Sequence, residues 1–107
     1  MEEIRRQLIV LCRRSRACQL GWPRDWRPHQ VTDPRSGAMF TEPGAWDFVA
    51  EVLEQGHVME PIVLDRPPGA IAYVLKIEQH VSVPTIYVKV QLGSGCVIGR
   101  SFHYSNC

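Results

Sequence analysis

The chain has 107 residues, of which 45% are apolar and 21% are charged, a composition that indicates one globular domain and excludes two. The formal net charge of +1 hides an asymmetry, because eight of the twelve basic residues lie in the first 35 positions, all of them Arg. Residues 36–65 carry six Asp or Glu and no Lys or Arg. An arginine-rich end indicates contact with phosphate or an acidic partner, or else a solvated helix face.

The four cysteines do not indicate a metal site. Five residues separate Cys12 from Cys18 and ten separate Cys96 from Cys107, and neither spacing gives the tight ligand pair of a zinc site. The apolar run at residues 8–12 is shorter than a signal-peptide core, and no run reaches transmembrane length. We therefore expect a cytoplasmic protein with reduced thiols, no cofactor, no metal and no membrane association.

Residues 2–14 are predicted to form a helix, because apolar residues recur at helical spacing while the arginines lie off that stripe. From residue 16 to 39 this pattern is lost among Pro and Gly, which predicts a long loop packed over the core. Trp22 and Trp26 are interleaved there with arginines, as on surfaces that stack bases of single-stranded nucleic acid and bind its phosphates. The alternative is that these tryptophans hold the loop against the core.

A second helix is predicted to start near Pro43, with Thr41 as its N-cap, and to stop at Gly56. Its apolar residues cover much of the circumference, so the helix should be well buried. His57 follows directly and is a candidate substrate-binding residue, with a capping or surface role as the alternative.

Four strands are predicted in the rest of the chain. A short edge strand covers residues 61–65, and three longer strands cover 71–78, 85–92 and 96–103. The short connections predict an antiparallel meander. Two helices on one face of a sheet of three or four antiparallel strands make an α+β fold. Residues 1–107 are then one domain, in which 1–40 supply a helix and the Arg- and Trp-rich loop and 41–107 supply the second helix and the sheet.

The last two strands form a hairpin whose register decides which side chains share a face. We predict a three-residue loop at residues 93–95, because a two-residue turn would bury polar groups without partners. This register turns one set of side chains to the open face of the sheet: Tyr87, Lys89, Val97, Gly99, Ser101 and His103. It turns an apolar set to the core: Ile86, Val90, Ile98 and Phe102.

Arg100 and Tyr104 lie near the edges of the open face and are candidate substrate-binding residues, together with Lys89 and Ser101. In this register Arg100 and Tyr104 point towards the helices, where Arg100 needs an acidic partner such as Glu51 or Glu54 from the second helix. Without such a partner, the predicted register is wrong.

The open face combines an acid–base histidine with a tyrosine and cations, namely His103, Tyr87, Lys89 and, from the neighbouring strand, Lys76. The chain lacks a glycine-rich phosphate loop and a nucleophile elbow around Ser101. The set suits metal-independent cleavage of RNA by its own 2′-hydroxyl. One group removes the hydroxyl proton, another protonates the leaving 5′-oxygen, and Lys or Arg stabilises the phosphorane.

Two stretches carry a family resemblance: Ile86-Tyr-Val-Lys-Val and, after a short turn, Val97-Ile-Gly-Arg-Ser-Phe-His103. They resemble the C-terminus of the motility quorum-sensing regulator type of mRNA interferase toxin, in the RelE-like ribonuclease group of small antiparallel sheets with N-terminal helices. The resemblance implies active-site roles for Tyr87 and for His103, which stands where the family has lysine, and a third role near Lys76. It implies RNA as substrate and an antitoxin protein as partner. The first 40 residues depart from the family.

Three functional classes follow from the sequence. The first is a ribonuclease toxin held in check by an antitoxin. The second is a nucleic-acid-binding module without catalysis, in which Trp22, Trp26 and the N-terminal arginines make the contacts. The third is a protein-interaction module, in which the acidic helix and the basic arm are complementary surfaces.

Overall fold

The computed structural model describes residues 2–14, 17–18, 25–65, 68–93 and 95–105. The elements are, in chain order, helix α1 (Glu2–Arg13), strand β1 (Ala17–Cys18), a 3-10 helix (Pro28–Gln30), helix α2 (Glu42–Glu54) and strands β2 (Glu60–Val63), β3 (Ile71–Ile77), β4 (Ile86–Leu92) and β5 (Val97–Tyr104). The sheet order is β1-β5-β4-β3-β2. Strands β2 to β5 form the predicted antiparallel meander, and the α+β class is confirmed. None of the described helices is long and apolar enough to span a membrane.

Both helices form where local signals predict them. Acidic Glu2 and Glu3 occupy the first turn of α1 and Arg13 its last turn, which suits the helix dipole. The Thr41 hydroxyl accepts a hydrogen bond from the Gly44 backbone N–H at 3.0 Å, so the predicted N-cap of α2 is confirmed. Seven residues of α2 are buried. The two helices lie on one face of the sheet.

The core lies between the helices and that inner face of the sheet. Leu8 of α1 and Leu53 of α2 are fully buried there. The sheet contributes alternate residues of β3 and β4 and two residues of β5: Tyr73, Leu75, Ile77, Ile86, Val88, Val90, Val97 and Phe102. The alternation predicted for β3 is therefore confirmed, and the outer face is the one that carries the even-numbered residues of β3 and the odd-numbered residues at the start of β4.

The predicted hairpin register is wrong, although it keeps the key residues on one face. Leu92 pairs with Val97, so the connection has four residues, 93–96, and the Gly93 N–H donates to the Cys96 carbonyl at 2.8 Å. Lys89 pairs with Ser101, whereas Val90 pairs with Gly99. This β-bulge makes Arg100 the extra residue of β5 and reverses the faces on its two sides.

The reversal moves three residues of β5 from their predicted faces. Val97 and Gly99 lie opposite Leu92 and Val90 on the inner side, and Ile98 lies opposite Gln91 on the outer side. Gly99 explains why the strand accepts this arrangement, because a Cβ atom there would approach the Trp26 ring to 2.8 Å. Only glycine leaves room for that ring.

The segment predicted as a long loop over the core is more ordered than expected. Residues Ala17–Cys18 form β1, which pairs parallel with Val97 and Ile98 of β5, and Trp26 makes a parallel bridge to Phe102. Two backbone pairings, one at residues 17–18 and one at Trp26, therefore extend the sheet beyond β5. No local sequence pattern at these positions indicates a strand.

Candidate functional site

Three predicted catalytic side chains lie in one row across the outer face of the sheet. Lys76 on β3 is directly opposite Tyr87 on β4, and Tyr87 is directly opposite His103 on β5. The Tyr87 and His103 rings stack, with centroids 5.3 Å apart and an interplanar angle of 18°. Lys76 is exposed, and the two rings are half-buried. The register shift of two residues preserves this common face because side chains alternate with period two.

His103 has a defined tautomer. Its Nδ1 lies 2.8 Å from the backbone carbonyl oxygen of Tyr104, and a carbonyl oxygen only accepts hydrogen bonds. The proton of the neutral ring is therefore on Nδ1, which leaves the Nε2 lone pair available to accept a proton.

The next row of the outer face is less accessible. Lys89 is half-buried and lies opposite Ser101, whose exposed fraction is only 2%. On the other side, Lys89 lies opposite Val74, which is also buried. The outer face is thus open at the row of Lys76, Tyr87 and His103 and closed beside it, so Ser101 is not presented to a large substrate.

Two aromatic residues of the predicted site, Trp26 and Tyr104, lie on the core side of the sheet. The Trp26 ring is 7% exposed, stacks on Trp46 with centroids 4.7 Å apart, and donates its Nε1–H to the Glu42 carboxylate at 3.0 Å. Tyr104 packs against the core, and its hydroxyl accepts a hydrogen bond from the Thr32 N–H at 3.0 Å. Of the two interpretations of Trp26, the exposed stacking surface is wrong and the alternative, that the ring holds the segment against the core, is confirmed, because the ring fills the space above Gly99. Trp22 lies outside the described residues.

The other predicted contacts also fall away from the row. His57 lies between α2 and β2, and its Nδ1 donates to the Val58 carbonyl oxygen at 2.8 Å. Arg100 is the half-buried bulge residue of β5. The predicted partners of Arg100 form other ion pairs: Glu51 with Arg35 and Glu54 with Arg13.

The same ion pairs explain part of the charge asymmetry. The Arg35 guanidinium contacts the carboxylates of Asp33 at 2.9 Å, Asp47 at 3.1 Å and Glu51 at 2.8 Å, and Arg13 pairs with Asp47 and Glu54. The hydrogen bond with Asp33 raises the pKa of Arg35 further above its ordinary value. The acidic helix and these two arginines are complementary surfaces, but they meet within the chain and fasten α2 to α1 and to the 31–40 loop.

A cavity of about 350 Å³ opens beside His103, at the end of β5. It is lined by Asp25, Arg27, Gln30, Val31, His103 and Tyr104. Because Trp26 and Phe102 form a parallel bridge and Trp26 turns to the core, the next residues along the two segments, Arg27 and His103, are neighbours. The sequence did not predict that Arg27 lies beside His103, since the bridge joins segments about 75 positions apart. The only local signal was the alternation of Trp and Arg.

The described residues contain no group of three or more His, Cys, Asp or Glu able to hold a metal ion. Comparison of the chain with protein-family models, with curated proteins and with solved structures gave no match. The fold and site define the protein as a small α+β domain with a Lys–Tyr–His row on the outer face of its sheet.

Proposed function

We propose that this protein is a metal-independent endoribonuclease, the toxin of a toxin–antitoxin pair. The observation that carries the proposal is the row of Lys76, Tyr87 and His103, in which a lysine, a tyrosine and a histidine lie directly beside one another on three neighbouring strands. The resemblance of the hairpin to mRNA interferase toxins supports the toxin assignment, as does the small α+β fold.

The geometry suggests a role for each side chain. His103 Nε2 takes the proton of the RNA 2′-hydroxyl, and the 2′-oxygen attacks the adjacent phosphorus. The bond from phosphorus to the 5′-oxygen breaks, and the leaving oxygen receives the proton of the Tyr87 hydroxyl. The Lys76 ammonium stabilises the negative charge of the phosphorane. The products are a 2′,3′-cyclic phosphate and a 5′-hydroxyl end.

The test compares the purified wild type with Tyr87→Phe, His103→Ala and a matched control, His80→Ala. His80 is an exposed histidine in the turn after β3, on the side of the sheet where Phe48 of α2 lies. Single-turnover cleavage of a single-stranded RNA should fall roughly a hundred- to ten-thousand-fold in each row variant, the usual contribution of a positioned acid or base. The His80→Ala variant should cleave at the wild-type rate, and chelators should have no effect.

Expression of the same variants in cells links cleavage to toxicity. Wild type and His80→Ala should stop growth and degrade RNA, whereas the two row variants should not, with circular dichroism showing that both are folded. A wild-type protein that leaves every RNA intact would sink the proposal. Salt-sensitive RNA binding that survives His103→Ala, without any cleavage by the wild type, would identify a binding module instead.

A further inference from the structure

We propose that the cavity beside His103 is a subsite for one nucleotide of the RNA strand, next to the scissile phosphate. Arg27 binds the phosphate of that nucleotide. The cavity is also lined by Asp25, Gln30, Val31 and Tyr104. This inference rests on the proposed function and adds where the RNA strand binds beside the catalytic row. It extends the catalytic row by a fourth member, in the order Lys76, Tyr87, His103 and Arg27.

The position of Arg27 is set by the backbone. The Phe102 N–H donates to the Asp25 carbonyl at 2.8 Å, and the Arg27 N–H donates to the Phe102 carbonyl at 2.9 Å. These two hydrogen bonds place residues 25–27 along the outer edge of β5, next to its catalytic histidine. Because Trp26 lies on the inner side with Phe102, its neighbours Asp25 and Arg27 lie on the same side as His103.

The charge of Arg27 is available to a ligand. Its guanidinium is 3.5 Å from the Asp25 carboxylate, and the two side chains are 46% and 59% exposed, so this pair is weak. Arg13 and Arg35, by contrast, are each held by more than one carboxylate of α2. A planar guanidinium with weakly engaged donors is well suited to bidentate phosphate binding.

The rest of the cavity suits a nucleotide base. Gln30 offers both a donor and an acceptor and Asp25 an acceptor, the groups that read the edges of an unpaired base. A volume of about 350 Å³ lies at the lower end of the roughly 300–1,000 Å³ range of small-ligand pockets. One nucleotide therefore fits this cavity better than a folded RNA element does.

The cavity is also preformed, which lowers the ordering cost of binding. Gln30 N–H donates to the Arg27 carbonyl at 3.1 Å and Val31 N–H to the Pro28 carbonyl at 2.9 Å. The Thr32 N–H donates to the Tyr104 hydroxyl at 3.0 Å, and Trp26 anchors the segment in the core.

The experiment measures cleavage and binding separately in the full chain. The variants are Arg27→Gln, Arg27→Lys and a charge-matched control, Arg6→Gln. The Arg6 side chain is 70% exposed on α1 and, among the described residues, forms its ion pair within that helix, with Glu3. Binding is measured with a single-stranded RNA carrying 2′-O-methyl groups throughout, which cannot be cleaved by 2′-hydroxyl attack. Cleavage is measured with the unmodified strand over a range of concentrations.

We expect Arg27→Gln to weaken binding of the methylated RNA roughly ten- to a hundred-fold, the effect of one lost charge-assisted hydrogen-bonding group. The KM for cleavage should rise by a similar factor, while kcat stays within about threefold. The slope of log affinity against log salt should become shallower by about 0.7, the value for one phosphate contact on a single strand. Arg27→Lys should recover part of the affinity, and Arg6→Gln should match the wild type.

The two proposals fail in different ways. If the wild type cleaves RNA and Arg27→Gln has the wild-type KM and affinity, the subsite is overturned and the ribonuclease proposal stands. If the wild type binds the methylated RNA through Arg27 and cleaves nothing, the ribonuclease proposal is lost, and Arg27 stands as a phosphate-binding residue with no scissile phosphate beside it. Equal weakening by Arg27→Gln and Arg6→Gln, or no RNA binding by the wild type, also overturns the subsite.

Discussion

Replacement of Trp26 by alanine separates a structural from a nucleic-acid-binding role for the tryptophan segment. The ring is 7% exposed, stacks on Trp46 and meets Phe102 edge-on with centroids 5.4 Å apart. An exposed base-stacking tryptophan would cost little stability when removed, whereas a buried one leaves a cavity.

The magnitude follows from these contacts. Removing a buried tryptophan side chain lowers the free energy of unfolding by about 3–5 kcal/mol. Each lost aromatic pair accounts for roughly 0.5–1.5 kcal/mol of this total. For a domain of this size, about 4 °C of Tm corresponds to each kcal/mol, so Trp26→Ala should melt about 12–20 °C below the wild type. Trp26→Phe keeps a ring but loses the Nε1–H bond to Glu42, and should cost less, about 1.5–3 kcal/mol.

Urea unfolding followed by far-ultraviolet circular dichroism measures these differences without relying on tryptophan fluorescence. The slope of the free energy of unfolding against urea should stay at the wild-type value, and the midpoint should fall. A loss of less than about 1 kcal/mol for Trp26→Ala, in a folded protein, would refute burial of this ring. Loss of RNA binding at unchanged stability would restore Trp26 as a stacking surface.

Two further predictions concern titratable groups. Burial raises the pKa of Asp33, but its hydrogen bonds with the Arg35 side chain and backbone N–H outweigh this and leave the pKa below its usual value. The carboxylate therefore stabilises the folded state above about pH 4 and loses this effect as the pH falls. Asp33→Asn should lower the free energy of unfolding by about 1.5–3 kcal/mol at pH 7, and this free energy should then fall less steeply between about pH 5 and 3 than in the wild type. Urea titrations that show the same dependence on acid pH in both proteins would contradict the role of Asp33. Burial raises the pKa of the Cys12 thiol to about 12. Iodoacetamide at about pH 8 should therefore modify Cys12 in urea and leave it unmodified in the native protein, as measured by peptide mass spectrometry. Because the thiol of the unfolded chain ionises near pH 8.5, the contribution of Cys12 to the stability of the fold should decline above that pH. Equal labelling of Cys12 in both states would show that this thiol is accessible.

The boundaries of the regular elements could be predicted because their signals are local. Thr41, Pro43 and Gly56 delimit α2 through capping, a favourable first-turn proline and a residue with positive φ. Strands β3 and β4 were placed within one residue of their ends, since alternation and flanking turns mark them. The common face of Tyr87 and His103 followed from the same alternation, whereas their direct pairing across the two strands did not, because the predicted register put Tyr87 opposite Ser101.

The register of the hairpin could not be predicted in full. Its four-residue connection and the bulge at Arg100 depend on where Trp26 packs, because Gly99 must face that ring. A tryptophan 73 positions away in the chain leaves no periodic trace in the strand, so the predicted faces of Val97, Ile98 and Gly99 were wrong.

The sequence by itself determined the α+β class, the helix ends and the common face of Tyr87 and His103, because capping and alternation act over a few residues. The tertiary structure alone decided that Trp26 is core and that Arg27 lies beside His103. Both outcomes depend on hydrogen bonds and ring packing between residues 25–27 and β5, contacts whose partners are distant in the chain and are selected by the shape of the assembled core.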